Sequence, residues 1–159
     1  MDPQQFLVRC HCGNVQGWLT LPRQEIRAWD CNCSDCSMRG NVHIIVPRSD
    51  LTILNPQTTT SNQTPSSINT TLPPYQEATT LYLWGTHVAQ RRFCNTCGIL
   101  PWYIPRSNPD SYAITIHCIR RHDSNQHQQE EEAPKIVIEK FDGQHWEDFM
   151  DKLKQETHK

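Results

Sequence analysis

Apolar and polar positions alternate with a period of two along most of the chain, in short runs separated by turn residues. Such runs read as half-buried β-strands. They are FLVRC, VQGWLTL, EIRAW, NVHIIV and LTIL in the first part, then TTLYLWG, HVAQRRF, PWYIP, YAITIHCI and KIVIEKF. Helix signals are nearly absent until the end. There, HWEDFMDKLKQE sets Trp146, Phe149, Met150 and Leu153 on one face at helical spacing. Glu147 and Asp148 fall early in this segment and Lys152 and Lys154 late, which suits a helix dipole. Asp142-Gly143 reads as the turn before it. The apolar stripe is expected to dock the helix on a sheet rather than to bind a partner. The pattern therefore predicts a mainly β protein with a short C-terminal α-helix.

Two stretches leave this pattern. Residues 55–76 are rich in Thr, Ser, Asn and Pro and nearly devoid of large apolar groups, and residues 122–134 form a second polar run. Neither buries enough surface to offset its ordering entropy, so both read as flexible surface loops inserted in one domain spanning 1–159.

The length of 159 residues fits that single domain with a real core. A net charge of -2 argues against a nucleic-acid surface built on bulk basicity. No apolar run approaches the roughly 18 residues of a membrane helix. The start, MDPQQFLVRCHCG, carries an early acid and no apolar h-region, so secretion is not expected. In an intracellular setting, cytoplasmic or nuclear, thiols stay reduced. The eight cysteines then read as metal ligands rather than as a disulfide framework.

Seven of the eight fall into three groups: Cys10-His11-Cys12-Gly13, Cys31-Asn32-Cys33-Ser34-Asp35-Cys36 and Cys94-Asn95-Thr96-Cys97-Gly98. Zinc takes four tetrahedral donors, with thiolate sulfur at about 2.3 Å. Two close pairs from distant parts of a chain supply such a shell, and glycine after the second cysteine lets the backbone turn back toward the sulfurs. Cys10, Cys12, Cys94 and Cys97 make the natural closed site, with other pairings of the same cysteines still open. Cys31, Cys33 and Cys36 remain together without a fourth thiolate. With three donors a zinc ion keeps a position for water, a substrate thiol or one further ligand, for which His43, His117 and Cys118 are candidates. Zinc lowers the pKa of a bound thiol, so the trio favours thiolate chemistry over redox chemistry. A second purely structural site and a set of reactive thiols are the other readings. Cys118, in the apolar run YAITIHCI, reads as a buried inert cysteine.

With these groups assembled, the chain resembles the glutathione-dependent formaldehyde-activating enzyme family and its relative, centromere protein V. The matching pieces are CHCGNVQ, CNCSDCSMRG and FCNTCGILPWYIPRSNPD, with the tail IEKFDGQHWEDFM closer to the centromere protein V branch. The resemblance implies a β-tent, in which small antiparallel sheets are stapled by zinc. It implies a structural zinc on Cys10, Cys12, Cys94 and Cys97, and a second, labile zinc on Cys31, Cys33 and Cys36 where glutathione meets the metal. The implied activity joins glutathione and formaldehyde into S-(hydroxymethyl)glutathione, a carbon–sulfur lyase reaction run backwards. A cation should then hold the substrate carboxylates, with Arg106 in PRSNP first and Arg39, Arg91 and Arg92 behind it. Trp102 and Tyr103 are expected in the core or in the pocket wall, and Asp35 as a turn cap or a ligand-orienting group. The competing class is a non-catalytic zinc interaction module of the centromere protein V type; a zinc-buffering or redox-sensing protein is a third. An exposed strand edge makes a homodimer a further expectation.

Overall fold

In the computed structural model the described residues are 3–22, 24–54, 74–120 and 134–156. The two expected loops fall almost wholly outside them, and so does the Leu153 side chain.

Strands β1 (Gln4–Arg9) and β2 (Gln16–Leu21) pair antiparallel. Phe6 and Val8 of β1 and Leu19 and Leu21 of β2 are buried, as alternation requires. β2 also pairs with β5 (Leu51–Ile53), close enough that a Cβ on Gly17 would lie 3.0 Å from the Leu51 side chain. β10 (Ile119–Arg120) adds to the other side of β1, giving a four-stranded sheet in the order β10-β1-β2-β5.

The larger sheet has the order β11-β3-β4-β9-β8-β7-β6. Its strands are β3 (Ile26–Cys31), β4 (Val42–Pro47), β6 (Thr79–Tyr82), β7 (Gln90–Cys94), β8 (Trp102–Ile104), β9 (Ser111–Thr115) and β11 (Ile136–Phe141). Inner faces of both sheets share one core, in which Val8, Leu19, Ile44, Trp102 and Ile114 are essentially inaccessible.

The mainly β architecture with a C-terminal helix is as expected, and three local features differ. YAITIHCI is not one strand: β9 ends at Thr115, a 3-10 turn spans Ile116–Cys118, and β10 continues in the other sheet. β11 pairs with β3 in parallel, Ile136 opposite Ile26 through Phe141 opposite Cys31. A period of two is common to both strand directions, so alternation could not report it. A short helix α1 (Ser34–Arg39) also lies between β3 and β4. Six residues are too few to show helical periodicity. The helix is set by its ends: the Cys33 sulfur accepts the Cys36 N–H at 3.4 Å, and Gly40 closes it with φ 60°. The C-terminal helix α2 (Trp146–Glu156) docks through Phe149, whose ring centre lies 4.7 Å from that of Phe141.

Candidate metal centres and a thiol-lined cavity

The β1–β2 loop carries Cys10 and Cys12, and the turn after β7 carries Cys94 and Cys97. All four sulfurs lie within 4.8 Å of one another. Cys12 Sγ is 3.5 Å from Cys10 Sγ and 3.5 Å from Cys94 Sγ. Tetrahedral zinc–thiolate geometry puts sulfurs about 3.8 Å apart, so the set fits the ion. Both turns are built alike. Gly13 and Gly98 have φ of 84° and 72°, their amides bond the carbonyls of Cys10 and Cys94, and Val15 N–H donates to Cys10 Sγ at 3.3 Å. Asn14 Nδ2 donates to Thr96 Oγ1 at 3.1 Å and ties the two turns together. Burial pushes the Cys10 thiol up to about 12. At Cys97 burial acts the same way, yet the amides of Cys12 and Ile99 and the neighbouring thiols bring it down to about 6. Such a crowd of sulfurs ionises together only around a cation.

The second cluster sits where β3 ends and α1 begins. The sulfurs of Cys31, Cys33 and Cys36 lie within 4.8 Å of one another. The thiols of Cys31 and Cys36, the Cys36 amide and Arg91 all favour the Cys33 thiolate and lower its pKa well below the ordinary thiol value, while its two thiol neighbours drive Cys36 upward. Negative charge is thus gathered at one point among three sulfur donors, the chemistry of a soft cation site. All eight cysteines are free thiols.

The trio opens onto a cavity of about 610 Å³. Its walls include Trp29, His43, Trp84, Tyr103, Phe141 and Met150. Arg91 and Arg106 are its cations. Arg91 is buried, with Nε 2.5 Å from Asp35 Oδ2 and its guanidinium 5.0 Å from the Tyr103 ring centre. Asp35 also accepts from Arg39 Nε at 2.8 Å, so the carboxylate between Cys33 and Cys36 holds two arginines. Arg106 stands at the margin, bonded to Glu147 and stacked on Trp146.

Of the candidate fourth ligands, His43 lines the same cavity, with Nε2 3.3 Å from the Tyr103 hydroxyl. No histidine nitrogen among the described residues joins the trio's cluster of donor atoms. His117 is exposed, and Cys118 is buried in the main core, so neither reaches the trio. Tyr103 lines the cavity while Trp102 is a core residue. Arg39 and Arg92 are not among the cavity walls. Arg92 Nη1 instead lies 3.4 Å from Thr79 Oγ1. Asp35, in the first turn of α1, anchors two guanidinium groups.

Two residues of the site escaped the sequence reading. A Cβ on Gly143 would lie 2.5 Å from Cys31 Sγ, so the turn after β11 presses directly on the trio. Asn32 holds that turn, donating to Asp142 Oδ1 and accepting from the Gln144 amide, each at 3.0 Å. The only local signal was the Asp-Gly pair itself.

Fold and site together define a β protein with two cysteine clusters that could hold zinc, one of them open to a cavity. A family model described as glutathione-dependent formaldehyde-activating enzyme matches residues 5–135, and the chain belongs to that family. Among solved structures, the fold is similar to a Rhodobacter sphaeroides protein determined by a structural-genomics programme. Identity is 26%, with 82% of this chain and 99% of that chain covered and a TM-score of 0.52. No helix among the described residues is long and apolar enough to cross a membrane.

Proposed function

We propose that residues 1–159 form one zinc domain that catalyses carbon–sulfur bond formation or cleavage on glutathione or a related thiol adduct. The observation that carries this reading is the position of the trio: three sulfurs converge at the wall of a cavity that also presents guanidinium groups. Cys10, Cys12, Cys94 and Cys97 would hold a structural ion, and Cys31, Cys33 and Cys36 a labile one. A zinc ion there would supply thiol acidification, making a thiolate available near neutral pH.

The protein's own groups do the rest. Arg106 receives a substrate carboxylate, while the apolar walls orient the thiol toward the trio and exclude water. In the synthetic direction the substrate thiol gives up its proton and its sulfur adds to a small carbonyl carbon. The carbonyl π pair moves to oxygen, which takes up a proton. In reverse the C–S bond breaks and the sulfur leaves as thiolate.

Metal content with and without glutathione, on wild type and Cys33→Ser, tests this directly. Two ions per chain are expected in the wild type and one in the variant. The variant should stay folded and add nothing to the uncatalysed rate of hydroxymethyl adduct formation. A single ion unaffected by the substitution would remove the reactive centre.

A non-catalytic interaction module is the second reading. Exposed apolar groups at the edge strand β6 (Leu81 and Tyr82), with Leu83 and Val88 beyond it, favour it as a surface for a second copy of the chain. It predicts a dimer in solution and loss of metal without any separable loss of turnover.

A further inference from the structure

β11 and α2 lie C-terminal to the residues matched by the family model, yet they build one wall of the thiol-lined cavity. Phe141, Gly143, Trp146, Glu147 and Met150 are all on it. Across from them stands Arg106, which follows β8. Arg106 Nη2 donates to Glu147 Oε1 at 2.8 Å, and its guanidinium carbon lies 3.6 Å from the centre of the Trp146 ring.

A carboxylate on this arginine is chemically what an acidic thiol substrate would place there. Glu147 arrives tethered by the helix, so it meets Arg106 at high effective concentration. The pair is nonetheless easy to part. Glu147 is 74% exposed, and an exposed ion pair is weak. A displaced Glu147 remains in the first turn of α2, where the helix dipole favours its charge. Trp146 keeps the guanidinium in place when the carboxylate leaves, because the stacking does not depend on Glu147.

We propose that the β11–α2 segment is the selectivity element of the thiol site, with Glu147 an internal carboxylate that occupies Arg106 until a substrate carboxylate replaces it. This rests on the reading of the cavity as a site for an acidic thiol. Thiols without a carboxylate leave the pair intact and gain nothing from Arg106. Acidic thiols exchange one carboxylate for another and gain only the difference.

Calorimetric titration of the zinc-loaded protein with three probes tests it: glutathione, S-methylglutathione and cysteamine. S-methylglutathione keeps the carboxylates without the free thiol, and cysteamine the thiol without a carboxylate. Glu147→Gln is expected to tighten glutathione and S-methylglutathione by up to about five-fold and to leave cysteamine unchanged. Arg106→Gln should weaken both peptides, leave cysteamine unchanged, and abolish the effect of Glu147→Gln in the double variant. Equal shifts for all three probes, or weaker glutathione binding in Glu147→Gln, would overturn the proposal. Tighter S-methylglutathione in Glu147→Gln with no binding of either free thiol would sustain the gate and overturn the thiol-site reading instead.

Discussion

Gly143 and Cys31 are packed so closely that a methyl group on the glycine would lie 2.5 Å from the cysteine sulfur, with the Cys33 Cβ only 2.9 Å away. The contact joins residues more than a hundred positions apart, and Asn32 fixes the turn beside it through both of its side-chain polar atoms. Either Cys31 or the turn must move to admit a side chain. Gly143→Ala is therefore expected to spread the trio, reducing bound zinc from two ions per chain to one. Stability should fall by roughly 1–3 kcal/mol, as for overpacking elsewhere. Elemental analysis and thermal unfolding check both. Full metal content with unchanged melting would mean that the turn yields freely.

The two clusters should separate under chelation. Cys10 and Cys94 are each 1% exposed and belong to the main core, so an ion held there is bound up with folding itself. The trio offers three sulfurs instead of four and lines the cavity wall, and none of its cysteines belongs to that core. A chelator titration should release one ion with no change in far-ultraviolet circular dichroism, then the second together with loss of structure. Cys94→Ser should fail to fold, whereas Cys33→Ser should fold and begin at the second stage. Release of both ions in one cooperative step would count against the division.

The strands and the quartet were legible because their signals are local. Alternation marked Phe6, Val8, Leu19 and Leu21 as one inward face. Two cysteine pairs, each followed by glycine, announced two turns of the same kind. The chemistry at the cavity was less legible because it depends on approach between distant residues. Nothing around Asn32 or Gly143 tells of the other, and HVAQRRF does not say which arginine turns inward. Arg91 does, and it is held by Asp35 of a helix too short to leave a periodic trace. In the sequence, the PRSNP motif favours Arg106 over Arg91 as the substrate cation. The structure puts both at the cavity, one buried and one at the rim.

Asp35 supplies a direct test of that buried pair. Its side chain is 10% exposed and that of Arg91 7%. Asp35→Ala leaves the Arg91 guanidinium buried without its carboxylate, which should destabilise the fold by about 3–5 kcal/mol. Arg91→Met in the same chain removes the stranded charge and should recover much of the loss. Urea denaturation of the single and double variants reads the coupling. Additive losses would show that Arg91 finds compensation elsewhere.

His43 makes stability depend on pH. Burial lowers its pKa from 6.5 to about 4; the Cys33 charge opposes this and Arg91 adds to it. Its Nδ1 is buried with no hydrogen-bond partner among the described residues, while Nε2 meets the Tyr103 hydroxyl. The folded protein therefore keeps this imidazole neutral where the unfolded chain binds a proton. The unfolded state holds the extra proton between about pH 6.5 and 4, so stability is fully present above that window and is lost as pH falls through it. The shift corresponds to about 3 kcal/mol. Acid also protonates the thiolates and loosens any bound zinc, in the same direction. The contribution of His43 is thus the difference between two slopes. His43→Gln should unfold with a flatter dependence on pH than wild type between pH 4 and 6.5, and with the same dependence above it. Parallel curves throughout would show that the folded protein protonates His43 as readily as the unfolded chain does.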